Sequence, residues 1–233
     1  MNELMKRKLL IAAVLMVVVA GAYTVWRHFY RDVPQPEWIG ADQRDEFLYG
    51  AVDAREAQGI PYWIWLALPR LFPEYMPAPG GYASLGLSWE ETLEMPAGFA
   101  KKTVGYVRVT GNCALCHVSS SRAGSDGVPT PVVAPPGAST SIQPLLTFYR
   151  QCAEDPRFNA SEILAEVDNA IKLSVVDKLI YRYVLIPRTK KALLNPESVI
   201  FTPELVAHAG NPQAGFSGQR LKKLADWMRA QRR

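Results

Sequence analysis

The stretch Cys113-Ala114-Leu115-Cys116-His117 is a C-x-x-C-H run. Two residues between the cysteines bring both sulfurs to one side of a helical turn, and the histidine that follows points the same way. Thiols spaced like this can add across the two vinyl groups of a haem, and the adjacent imidazole is then delivered to the iron as its proximal ligand. The spacing therefore predicts one covalent haem c, held by Cys113, Cys116 and His117.

Other uses of the pair have less support. A redox dithiol usually sits at the head of a helix after a strand, in a βαβ unit, and residues 104–112 read as too isolated to supply one. A zinc site needs four ligands, and the chain offers only Cys113, Cys116 and Cys152 with His28, His117 and His208. A set of three cysteines and one histidine can be drawn from these, but no second C-x-x-C or H-x-x-x-H pair supports it. Cys152 lies in an amphipathic stretch, Leu145 to Cys152, and reads as a small buried apolar residue.

The other strong signal is near the start. Residues 9–26 carry no charge and are mostly Leu, Ile, Val and Ala, about the length needed to cross a hydrocarbon core as a helix. Lys6, Arg7 and Lys8 precede it, as expected for a basic cytoplasmic tip over residues 1–8, although Arg27 and Arg31 follow it and the charge bias alone does not fix orientation. Because c-type haem is attached outside the cytoplasm, the rest is expected in the periplasm, hung from a single pass through a bacterial inner membrane. Ala20-Gly21-Ala22 has the small-x-small form of a signal cleavage site. The apolar run continues past it, however, and Trp26 and Tyr30 suit an aromatic interface belt, which favours an uncleaved anchor.

Roughly two hundred residues remain beyond the anchor, enough for one domain with its own core. Residues 27–41 read as a linker and 42–233 as the haem domain. The net charge of +4 is small and partly belongs to the anchor's flanks, so it gives no sign of a nucleic-acid partner. Eighteen prolines cut the chain into short helices and long Pro/Gly-rich loops such as 75–86 and 124–137. Helices are predicted over 42–57 and 60–71, from a cap at Thr140 or Ser141 to 154, from Asn159 to 173 behind a capping box with Glu162, over 175–186 to a stop at Pro187, and over 218–232. With no persuasive alternating strand, the fold class is mainly α, of cytochrome-c-like type.

Several stretches are familiar together: Phe47-Leu48-Tyr49-Gly50, Gly59-Ile60-Pro61-Tyr62-Trp63-Ile64-Trp65, Gly80-Gly81-Tyr82, Pro96-Ala97-Gly98-Phe99-Ala100-Lys101-Lys102, Asn112 to His117, Cys152-Ala153-Glu154-Asp155-Pro156-Arg157-Phe158 and Ile186-Pro187-Arg188. Over about residues 45–190 the chain resembles the N-terminal haem region of the rubber-oxygenase-like c-type cytochromes, a group related to the bacterial dihaem cytochrome c peroxidases. The resemblance implies peroxide or dioxygen chemistry shared between two haem domains. Here there is one C-x-x-C-H, and the second haem domain would be expected to begin near Arg233. A natural one-haem form, a partner domain on another polypeptide and a shortened sequence all remain open.

One haem tilts the expectation towards electron transfer with a redox partner protein or a second haem domain, with a haem peroxidase or dioxygenase as the alternative. Among residues near the haem, Arg108 could pair with a propionate through its fork of donors. An open distal face, which the resemblance allows, is the favoured expectation, with His208 the candidate distal ligand and Met228 a weaker one. Trp63, Trp65 and Phe72 could wall the pocket, and Tyr62 and Tyr106 could offer hydroxyls.

Overall fold

The computed structural model describes residues 3–34, 43–51, 59–90, 93–121, 130–133 and 142–196. Of these, 61% are helical. His208, Met228, the helix expected over 218–232 and its basic residues lie outside the described residues, as do Thr140 and Ser141.

Helix α1 (Glu3–Phe29) is long and apolar enough to cross a membrane, and none of its span is buried by the rest of the chain. It runs unbroken through Ala20-Gly21-Ala22. The stretch expected as linker is structured at its start. Residues 27–29 complete α1, and β1 (Asp32–Val33) pairs with a later strand.

The strands are the main departure from the sequence reading. An antiparallel hairpin, β3 (Phe99–Val104) and β4 (Tyr106–Gly111), turns at Gly105, whose φ of 71° is one that side chains disfavour. Strand β1 covers one edge and β2 (Ile60–Pro61) the other, in the order β1-β3-β4-β2. Pro61 is tolerated because β2 is an edge strand. A second hairpin, β5 (Val118–Ser121) with β6 (Thr130–Val133), begins directly after His117 and turns part of an expected loop into strand. The pattern hid the sheet: Phe99 and Ala100 are both buried, as are all four residues from Arg108 to Gly111. Strands covered on both faces lose the alternation that marks a half-exposed one.

The helices follow their predicted places with three corrections. Helix α2 (Gln43–Tyr49) stops well short of residue 57, and 52–58 are not described. Helix α5 (Gln143–Glu154) starts behind Ile142, with no side-chain cap. Pro187 does not end the helix begun at α7 (Val175–Ile180). A π-turn (Tyr181–Leu185) intervenes and α8 (Ile186–Leu193) continues, with Pro187 in its first turn, where a missing N–H costs least. Helices α3 (Tyr62–Leu71) and α6 (Ala160–Ala170) match their predicted cores, and Asn159 Oδ1 accepts from the N–H groups of Ser161 and Glu162. The reciprocal half of the capping box is absent, since the Asn159 N–H donates to the Arg157 carbonyl.

The main core forms where α3 meets α6, the sheet and α5. Trp65 is fully buried, stacks on Tyr82 at 4.2 Å between ring centres and donates from Nε1 to the Tyr149 hydroxyl at 2.9 Å. Phe72 stacks between Tyr75 and Phe158. A smaller apolar cluster of Leu48, Tyr49, Ala97, Ala114 and Val118 lies under the C-x-x-C-H run.

Candidate functional site

Strand β4 ends at Gly111, and after Asn112 and Cys113 the chain makes a single turn of helix, α4 (Ala114–His117), before entering β5. A strand does precede the motif, contrary to the sequence reading of 104–112. It belongs to an antiparallel hairpin, however, and one turn of helix followed by an antiparallel strand is not a βαβ unit.

The turn is held from inside. Ala114 and Leu115 are fully buried, Ala114 in the smaller cluster and Leu115 in the main core. Positions 113, 116 and 117 stand at i, i+3 and i+4, which share a helix face, and all three are half-buried. Two buried residues thus anchor the turn while the two thiols and the imidazole share its outer side. Neither ring nitrogen of His117 makes a hydrogen bond among the described residues. Both cysteines are free thiols, and burial pushes both thiols up from their ordinary value.

Asn112, quoted with the motif but given no role by sequence reasoning, fixes this turn. Its side chain is buried. Nδ2 donates to the carbonyls of Leu48 (3.2 Å) and Gly50 (3.0 Å) at the end of α2, and Oδ1 accepts from the Ala114 N–H at 2.9 Å. One side chain therefore caps the C-terminal carbonyls of α2 and the first amide of α4. Its own N–H donates to Gly98, whose N–H donates in turn to Leu48. Gly98 has φ 93°, and a Cβ there would stand 2.4 Å from the Leu115 Cα. Only glycine lets the 97–98 turn come so close. The signal for both was present, an Asx residue opening a turn and a glycine in a short Pro-Ala-Gly stretch, but neither pattern specifies its partner.

Around the motif, Arg44 of α2 donates to Glu90 at 2.8 Å and to the Pro131 carbonyl of β6 at 3.1 Å, and Tyr49 donates to the same Glu90 oxygen. Burial, with Glu90 adding to it, pushes the Tyr49 phenol well above its usual value, so it stays a neutral donor. Ser120 and Ser88 hydroxyls join at 3.0 Å.

The other predicted site residues are placed elsewhere. Arg108 is 6% exposed. Its guanidinium donates to the Tyr106 hydroxyl, stacks on that ring and lies near Tyr181 and Arg188. Burial pulls it below the ordinary arginine value, with Arg188 contributing. These neighbours belong to the π-turn and α8, not to the motif's turn. Trp65 and Phe72 are committed to the main core, and Tyr62 donates to Glu94. Among the described residues, His28 is bound to Thr24 and Asp177, Met76 accepts from Ser84, and Met95 is buried in the core.

Two free thiols and an unengaged imidazole on one rigid face fit a covalently attached tetrapyrrole. They fit the alternatives less well. A reactive dithiol needs a thiol pKa lowered towards neutrality, and both are raised here. Among the described residues no three His, Cys, Asp or Glu side chains are placed to share an ion, and Cys152, needed for a zinc set, is fully buried in α5. Compared with known protein families, with curated proteins and with solved structures, the chain finds no match.

Proposed function

We propose that this chain is a membrane-anchored c-type cytochrome with one covalent haem, acting in electron transfer and related to the rubber-oxygenase-like group whose residues it resembles. The observation that carries the reading is the face formed by Cys113, Cys116 and His117 on a turn pinned by Leu115 and Asn112. Cys113 and Cys116 would hold the haem through two thioether bonds, one to each vinyl group, an addition that needs no external oxidant or reductant. His117 would ligate the iron, and the bound haem would supply a one-electron ferric/ferrous couple. The distal face of the iron is proposed to be open or weakly held, with His208 the alternative ligand. Helix α1, uncleaved, holds the domain in the periplasm against the inner membrane.

The test is haem staining of a denaturing gel after acid–acetone extraction. Colour is expected to stay with the protein band and to be lost or much weakened in Cys113→Ser and Cys116→Ser. Colour extracted into the solvent, or a Cys113→Ser band as strong as wild type, rejects covalent attachment. A further measurement separates electron carrier from enzyme. The carrier reading expects reduced protein that binds carbon monoxide slowly or not at all and oxidised protein without peroxide turnover. Fast ligand binding with sustained peroxide turnover would instead favour the peroxidase or dioxygenase reading.

A further inference from the structure

The end of α1 is clasped by the globular part. His28 Nε2 meets Asp177 Oδ1 of α7 at 3.2 Å, and the Gly105 N–H donates to the Arg31 carbonyl at 2.7 Å. Helix α7 therefore begins at the level where α1 leaves the membrane it would span. On this same stretch, Val175 is 76% exposed, Leu179 50% and Tyr183 70%, with Val176 beside them. Valine and leucine at i and i+4 stand open to water on α7, which turns only Ile180 towards the main core. Cations flank them. Lys172 and Arg182 are exposed, and Lys178 is partly exposed and paired with Asp168 at 2.6 Å. A groove of about 310 Å³ between α6 and α7 is lined by Leu164, Val175 and Leu179 together with Asp168, Lys178 and Arg182. Tyr23, Trp26 and Tyr30 stand exposed on the last turns of α1 and just after it, where aromatic residues mark a bilayer interface.

We propose that the apolar face of α7 and the π-turn lies in the headgroup region of an anionic phospholipid bilayer and seats the globular part on the membrane. The proposal rests on α1 spanning that bilayer. Apolar side chains on one face, a tyrosine at its end and lysine and arginine at its margins are the pattern of an interfacial helix. Asp168 and Asp177, the acids of this surface, are each engaged by a cation or a histidine. Arg182, with Arg27 on α1 and Arg31 just after it, is left to face lipid phosphate. The short path from Phe29 to the sheet keeps the face at this depth.

The experiment uses the full chain with p-benzoylphenylalanine placed at Leu179, at Tyr183 or at Gln151, an exposed position on α5. Each is reconstituted in nanodiscs of phosphatidylethanolamine and phosphatidylglycerol, irradiated and weighed intact. Phospholipid adducts are expected several-fold more often at 179 and 183 than at 151, and to fall when phosphatidylcholine replaces both lipids. Equal labelling at 151, no adducts at 179 and 183, or indifference to the lipid swap overturns the proposal. Alkaline carbonate extraction of native membranes separates the two ways of failing. A chain that stays in the pellet without lipid adducts overturns the seating alone, and a chain washed off overturns the span as well.

Discussion

Asn112 makes three side-chain hydrogen bonds from a buried position, two to α2 and one to α4. At about 1 kcal/mol each, Asn112→Ala is expected to cost about 3 kcal/mol, seen as a lower Tm of the detergent-purified chain. Asn112→Asp keeps the acceptor for Ala114 and loses the donors to α2, so it should fall between. A second residue-scale hub explains the Asp155-Pro156-Arg157 stretch. Asp155 accepts from the Arg157 side chain and N–H and from the Tyr75 hydroxyl, while Arg157 also reaches Glu74 and the Leu71 carbonyl. The Arg157 guanidinium and amide, with Tyr75, hold the Asp155 carboxyl well below the usual carboxylate range. A carboxylate with a depressed folded-state pKa adds stability above its unfolded value of about 3.9, and that stability is lost as pH falls through the lower folded value. Asp155→Asn is therefore expected to lower stability at neutral pH and to flatten its decline below about pH 4. Acid titrations of both proteins followed by circular dichroism measure this, and parallel curves would rule it out.

At the scale of elements, α6 tests how far capping carries. Asn159 accepts from two amides, so Asn159→Ala should cost about 1 kcal/mol and Asn159→Asp little, by thermal unfolding. This helix was readable because its signals are local: an Asx cap and Ile163, Leu164 and Val167 on one face. The cores of α3, α5 and α7 were readable for the same reason, as was the apolar run of α1. The sheet was not. Phe99 and Ala100 are buried in succession, as are Arg108 to Gly111, so burial here does not follow the period of two that marks a half-exposed strand. Pro187 misled for a related reason. The π-turn before it moves the proline into a first turn, a register that neighbouring residues do not announce. The motif's chemistry was legible from its spacing, while its supports, Asn112 and Gly98, reach partners more than sixty and seventeen positions away, which no local pattern names.

For the whole molecule, the joint between α1 and the sheet decides how the globular part is carried. Gly105 sits in the β3–β4 turn at φ 71°, and a Cβ there would stand 2.1 Å from the His28 carbonyl oxygen. Gly105→Ala is expected to cost at least about 1 kcal/mol from the backbone alone and to push the turn off α1. Hydrogen exchange at the amides of Val33 and Val104 should then speed up while that of the α6 interior stays slow. Unchanged exchange at the joint would show that the turn yields without releasing the helix. The joint has a kinetic consequence for the proposed cytochrome. A domain on a slack tether sweeps every heading, and its reactive edge meets a partner only in a fraction of collisions. With Asp32 and Val33 paired into the sheet and His28 held by Asp177, the side bearing Cys113, Cys116 and His117 keeps one bearing to the bilayer plane. Partners that diffuse within the same membrane would then search in two dimensions for a target already turned to a fixed compass point, while soluble partners would have to arrive from that quarter.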